Sequence, residues 1–280
     1  MPSAETLPPP AEWRRSAGRR VIAAIALLGV VLVLAPLAVA VHSIGAGRFG
    51  AGRYCLAVAV IGALVVWMGY ETRLRRRTST QPITHHRGDD GALEIPYSAR
   101  VYAGYGLITG GLTLLLVLAV IDSVAGGTPG GAYVFGVLAL VFGSLPALMA
   151  TGRFRRGYLR LSPEGLHQRG WTFESFLPWS TVLGVTPRYV GCPIIVVVAD
   201  EYAPWQRRQF TQLWRQDRLP EVRRKDGKGL VPMIAVPGKF LSVDPTLVYY
   251  LLGFYLANPG MRAELATDSA VRRARTLPDR

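Results

Sequence analysis

Residues Val101 to Ile121 read VYAGYGLITGGLTLLLVLAVI and hold no Asp, Glu, Lys or Arg. A run of about 20 apolar residues, rising about 1.5 Å each, crosses the hydrocarbon core of a bilayer. A helix on a soluble protein shows a polar stripe every few residues instead. This stretch shows none, so it predicts a membrane-spanning helix. Three more stretches meet the same criterion: Val21 to Val41, Ala51 to Tyr70 and Ala132 to Ala150. The first and last are free of charge, and the second carries only Arg53, at its edge. The composition agrees. Half of the 280 residues are hydrophobic, mean hydropathy is +0.25 and 18% are charged, against about 25% in a typical soluble domain. Disorder and collagen-like repeats are excluded. The 2 cysteines make neither a disulfide scaffold nor a four-ligand zinc site.

The net charge of +14 is gathered in particular places. Arg14, Arg15, Arg19 and Arg20 precede the first span. Arg73, Arg75, Arg76, Arg77, Arg87 and Arg100 lie between the second and third. Arg153, Arg155, Arg156 and Arg160 follow the fourth. The other side has only Arg48 and Arg53, so 14 basic residues face 2. Cytoplasmic loops carry the excess of Lys and Arg, so both termini are expected in the cytoplasm. Only Lys225, Lys228 and Lys239 are lysines; the arginine bias reads as the coding bias of a high-GC bacterium. Pro36 followed by Ala38-Val39-Ala40 resembles the end of a signal peptide. The apolar run exceeds the usual h-region of about 7–15 residues, which favours an uncleaved helix.

Gly106 and Gly110 form a G-x-x-x-G pair, and Ala139, Gly143 and Ala147 repeat that spacing. Such spacing allows close helix approach, though small residues are also common in membrane helices. Asp122 and Glu71 sit at span ends and read as interfacial. No ionisable residue lies mid-span, which argues against a proton-coupled transporter.

After Arg156 the pattern changes to short strands. Tyr158 to Ser162 alternates and meets a turn at Pro163-Glu164-Gly165; Leu166 to Trp171 alternates again. Phe173 to Val182 is rich in β-formers, with Pro178 at an edge or end. The run Ile194-Ile195-Val196-Val197-Val198 is too short to span a bilayer as a helix, so it predicts a buried strand. Leu230 to Leu241 supplies one or two more. A helix then starts at Asp244-Pro245, an N-cap followed by a proline in the first turn. Its apolar stripe is Leu247, Val248, Leu251, Leu252 and Tyr255, and Asn258-Pro259 ends it. A second short helix is expected from Pro259 through Leu265, before a basic tail at Arg272, Arg273 and Arg275.

Three stretches carry a resemblance: Leu161 to Leu166 (LSPEGL), Leu177 to Val182 (LPWSTV), and Asp244-Pro245 through Asn258-Pro259-Gly260-Met261-Arg262-Ala263-Glu264-Leu265. In these, the chain resembles actinobacterial multi-pass membrane proteins with a cytoplasmic PH-like (pleckstrin-homology-like) domain. The likeness is structural rather than catalytic. It implies β-sheets closed by one C-terminal helix, and a domain that engages a protein partner or lipid headgroups. Tyr202 to Gly229 departs from a minimal domain of this kind.

No P-loop, H-E-x-x-H or paired C-x-x-C motif occurs, and no catalytic, cofactor or metal residue is assigned. His85-His86 with Asp89 and Asp90 could gather a metal, but adjacent histidines in a loop read first as solvated polar residues. The basic clusters read first as topology signals, then as attraction to anionic lipid headgroups. No nucleic-acid motif supports a third use.

On a helical wheel, Tyr202, Trp205, Phe210, Leu213 and Trp214 fall on one half, and Arg207, Arg208, Arg215 and Arg218 on the other. That division is typical of an interfacial helix. It makes Trp205, Arg207, Arg208, Phe210, Trp214 and Arg215 candidate membrane-surface contacts. Packing of these aromatics onto the sheet, or against a partner helix, is the competing reading.

The expectation is therefore an α-helical membrane protein with four transmembrane helices plus a C-terminal α+β PH-like domain. Residues 1–20 read as a disordered basic tail, 21–152 as the transmembrane part, 157–267 as the domain with an insertion at 202–229, and 268–280 as a basic tail. The expected role is non-enzymatic binding or scaffolding at the inner leaflet of a bacterial plasma membrane, with no cofactor. The expected partners are the bilayer, anionic headgroups and a protein, not nucleic acid. The alternative is a transporter or channel subunit regulated by the domain.

Overall fold

Four helices are long and apolar enough to cross a membrane: Val21–Gly45, Phe49–Arg73, Ala99–Ala125 and Pro129–Ala150. The computed structural model that shows them describes residues 7–13, 19–75, 77, 79–86, 91–211, 214 and 231–277. Arg14, Arg15, Arg76, Arg87, Asp89, Asp90, Leu213, Arg215 and Arg218 lie outside the described residues. The chain divides into two compact units. One comprises Ala17–Arg75 and Arg100–Phe154; the other comprises Met1–Ser16, Arg76–Ala99 and Arg155–Arg280.

In the helical unit, the first span is α1 (Arg19–Gly29), a π-helical turn (Val30–Leu34) and α2 (Ala35–Gly45). Pro36 causes the irregularity. It has no N–H to give to the carbonyl four residues back, that of Leu32, and the wider turn absorbs the mismatch. The Leu32 carbonyl faces Gly62 of α3 (Phe49–Arg73), where an added Cβ would collide with its oxygen. A glycine is thus required for helix contact at a position the G-x-x-x-G reading did not single out. The remaining spans are α4 (Ala99–Ala125) and α5 (Pro129–Ala150). Gly106 of α4 faces Met149 of α5, and Gly143 of α5 faces Thr113 of α4, whereas Gly110 faces open space. The spacing therefore marks a contact between α4 and α5 within the chain. Outward surfaces are apolar, as at Leu114, Tyr133 and Leu140.

Polar clamps tie α3 to α4 at both ends. Arg53 pairs with Asp122, which also accepts a hydrogen bond from the Tyr54 hydroxyl at 2.6 Å. At the opposite end, Glu71 is buried (2% exposed) and pairs with Arg75 and, at 3.5 Å, with Arg100.

The second unit is built on two antiparallel sheets. The strands are β1 (Thr84–His86), β2 (Ala92–Pro96), β3 (Tyr158–Leu161), β4 (Gly165–Arg169), β5 (Phe173–Pro178), β6 (Val182–Tyr189), β7 (Pro193–Ala199), β8 (Gln206–Gln209) and β9 (Met233–Pro237). The first sheet runs β1-β2-β3-β4-β5-β8 and the second β6-β7-β9. Alternation supplies the inner faces. Leu93, Leu161, Leu166 and Leu177 lie in one cross-strand row, and all are fully buried. The second sheet buries Ile195, Val197, Ile234 and Val236. The side chain of Gln168 crosses between the sheets. The Gln168 amide donates to the Tyr97 hydroxyl and to the Ala235 carbonyl, each at 2.8 Å.

Helix α6 (Pro245–Ala257) begins as expected: the Asp244 carboxylate accepts from the Thr246 N–H at 2.7 Å, with Pro245 in the first turn. The predicted stripe Leu247, Val248, Leu251, Leu252 and Tyr255 is buried. A 3-10 helix follows (Pro259–Ala266), then α7 (Asp268–Thr276).

Three expectations about extent are corrected. The domain is not confined to 157–267: β1 and β2, from the connection between α3 and α4, form the edge next to β3. The stretch read as a basic tail from residue 268 contains α7, which buries Ala270, Val271 and Ala274. The stretch read as a disordered N-terminal tail includes residues 7–13, whose Trp13 is only 6% exposed.

Candidate binding surface

The predicted interfacial helix at Tyr202 to Gly229 is not formed where that segment is described. Gln206–Gln209 is strand β8, paired antiparallel with β5. Pairing satisfies the open backbone groups of β5, a tertiary gain that overrides the weak strand preference of Gln-Arg-Arg-Gln. The change of period rearranges the candidate residues. Trp205 and Arg207 share one side of the strand, while Arg208 and Phe210 share the other. Aromatic and arginine are stacked rather than segregated. The Arg207 guanidinium lies 5.3 Å from the Trp205 ring centre, and that of Arg208 lies 5.5 Å from Phe210. The Trp205 indole N–H donates to Ser175 Oγ at 2.7 Å, so this tryptophan packs onto the sheet, which was the competing reading. Trp214 adopts a left-handed backbone, φ +61°. Arg215, the sixth candidate, is outside the described residues.

The outer face of the large sheet is polar but internally balanced. Arg160 donates to Glu94 at 2.7 Å and lies 4.0 Å above the Tyr158 ring. Arg169 pairs with Glu174 at 3.0 Å. Burial lowers the pKa of His167 on this face. The adjacent His85 and His86 go separate ways, as neighbours on a strand must. His85 Nδ1 lies 3.8 Å from Asp268, and His86 Nδ1 lies 3.8 Å from Glu94. Among the described residues, no three His, Cys, Asp or Glu side chains gather to hold a metal.

The surface that sequence reasoning missed lies between β6 and α6. Residues 7–13 lie there, ending in a short 3-10 helix at Ala11–Trp13. The Trp13 indole N–H donates to the Arg188 carbonyl of β6 at 2.9 Å, and its ring meets Tyr249 of α6 edge-on at 5.7 Å. The Tyr250 hydroxyl donates to the Pro8 carbonyl at 2.9 Å. Beside this segment an apolar groove of about 450 Å³ remains open, lined by Leu7, Val185, Tyr249, Tyr250, Gly253, Phe254, Leu256 and Leu277. The available signal was a lone tryptophan three residues after a run of three prolines, in a tail that holds no other aromatic residue.

The C-terminal end of α6 is fixed by a polar lock. The Tyr255 hydroxyl donates to Glu264 at 2.8 Å, and Arg273 of α7 donates to both Glu264 oxygens, one at 3.0 Å. The bond from Arg273 lowers the Glu264 pKa and raises that of Arg273. Burial, then the bond to Glu264, raises that of Tyr255.

Comparison of the chain with family models, curated proteins and solved structures finds no match.

Proposed function

We propose that the chain is a multi-pass protein of a bacterial plasma membrane whose two-sheet domain is PH-like and serves binding or scaffolding at the inner leaflet. The observation that carries this is the make-up of the domain. Its chain comes from before the first span, between the second and third, and after the fourth. Segments that fold together share one side of any bilayer the helices cross. The arginine count then puts that side in the cytoplasm. Two antiparallel sheets with a helix following the last strand support the PH-like reading. Such a domain offers a surface for a protein or an anionic headgroup, and Arg207 and Arg208 on the β8 edge suit the latter.

Reporter fusions test the topology. Fusions before the first span, after Arg77 and at the C-terminus should report cytoplasm, and those near Gly47 and Gly127 the outside. An external C-terminus would overturn the reading. Crosslinking in native membranes, followed by purification and lipid analysis, tests the role. A protein or anionic lipid recovered through the domain supports binding, and recovery of neither speaks against it.

A further inference from the structure

We propose that the groove between β6 and α6 is a receptor for an extended, proline-rich peptide bearing a tryptophan, and that residues 7–13 occupy it in cis. The proposal deepens the binding role above and rests on it.

The seated segment reads Leu7-Pro8-Pro9-Pro10-Ala11-Glu12-Trp13. Consecutive prolines hold φ near −65° and favour an extended chain, so docking them loses little conformational entropy. Aromatic-lined grooves exploit that preorganisation when they bind proline-rich ligands. Here the lining includes Tyr249, Tyr250 and Phe254. Both polar contacts involve main-chain oxygen: the groove's Tyr250 reaches the Pro8 carbonyl, and the segment's Trp13 reaches the Arg188 carbonyl. Trp13 supplies the one large buried anchor, the kind of residue that dominates small interfaces.

Two observations separate a receptor from ordinary core packing. First, about 450 Å³ of open apolar space lies beside the segment, lined by Leu7 together with Tyr249, Tyr250, Gly253, Phe254 and Leu277. Second, Gly253 lines that space with nothing within 4 Å of an added Cβ. The groove is therefore open at a helix surface, not closed around its occupant. Because the segment is tethered, its effective concentration is in the millimolar range. A partner must compete with that, so occupancy depends on the partner's concentration. The ligand class is a proline run with tryptophan three residues after its last proline.

The test uses the full chain in detergent micelles and a fluorescein-labelled synthetic peptide of residues 1–16, read by anisotropy. The wild-type chain should bind the peptide weakly, since its own segment competes. Trp13→Ala in the chain should tighten binding at least tenfold. The same substitution in the peptide should abolish binding. If Trp13→Ala fails to fold, a chain with Pro8→Gly, Pro9→Gly and Pro10→Gly carries the test, because it removes the preorganised extension of the tethered segment and leaves every groove residue in place. It should then bind the wild-type peptide more tightly than the wild-type chain does. No gain in a folded variant would overturn the proposal, as would equal binding to empty micelles. Peptide capture is read without reference to membrane sidedness, so it can fail while the topology stands, and the converse holds.

Discussion

Leu251→Ala is the substitution that most directly tests the packing of α6. Leu251 is 0% exposed and sits among Leu247, Val248, Leu252 and Tyr255, all buried. The cost has two parts: lost transfer of the removed atoms, and the cavity left behind. The cavity closes only if the helix can shift. Helix α6 is pinned at its start by the Asp244 cap and at its end by Tyr255, Glu264 and Arg273. The loss should therefore fall in the upper part of the usual range, about 3–5 kcal/mol. For a domain of this size, each kcal/mol moves the melting temperature by about 2–4 °C, so the fall should be about 6–20 °C. Tryptophan fluorescence of the full chain in detergent reads the transition, because Trp13, Trp171, Trp179, Trp205 and Trp214 belong to the domain and only Trp67 to the helices. Leu183→Ala, at a side chain 69% exposed, should stay within about 0.5 kcal/mol. A Leu251→Ala transition indistinguishable from wild type would show that the stripe does not form the core.

Three further outcomes follow from particular contacts. Glu264 has a lowered pKa because Arg273 bonds its carboxylate, so its contribution is present above the unfolded value and is lost as pH falls through the folded one. Wild type should therefore melt above Glu264→Gln at neutral pH, with the gap narrowing below the ordinary value of 4.5 in melts at stepped pH; a gap constant with pH would refute the pairing. Gly62→Val puts atoms onto the Leu32 carbonyl and should destabilise the helices by about 1–3 kcal/mol in denaturant titration, while Gly110→Ala, with open space at its Cβ, should be neutral. A fragment of residues 157–267 lacks β2 and leaves the β3 edge unpaired, so it should aggregate or melt without cooperativity, and a sharp calorimetric transition would contradict that.

What was legible in the sequence had local causes. The four spans show in length and apolarity alone, and α6 shows in a cap, a proline and a stripe within one short stretch. Strands β3, β4 and β7 show in alternation or β-branched runs. Strands β1 and β2 have no comparable signal. They are 3 and 5 residues long, and β2 finds its partner β3 only beyond two membrane helices. Strand β8 was misread because its four polar residues become a strand only through the open edge of β5. The face of α7 was carried by Ala270, Val271 and Ala274, residues too small to stand out against the neighbouring arginines.

The discontinuity of the domain also constrains how the chain must assemble. Leu93 and Ile95 of β2 are fully buried against β3, yet α4 and α5 come between them in the chain. The first sheet therefore cannot be completed until both spans have been made. Were either span to stay out of the membrane, β2 and β3 would lie on opposite sides of it. Residues 7–13 impose the same condition on the first two spans, since Trp13 must reach Arg188 of β6. The folded domain thus requires an even number of crossings between each of its parts, and a chain with an odd number between any two of them cannot form its core.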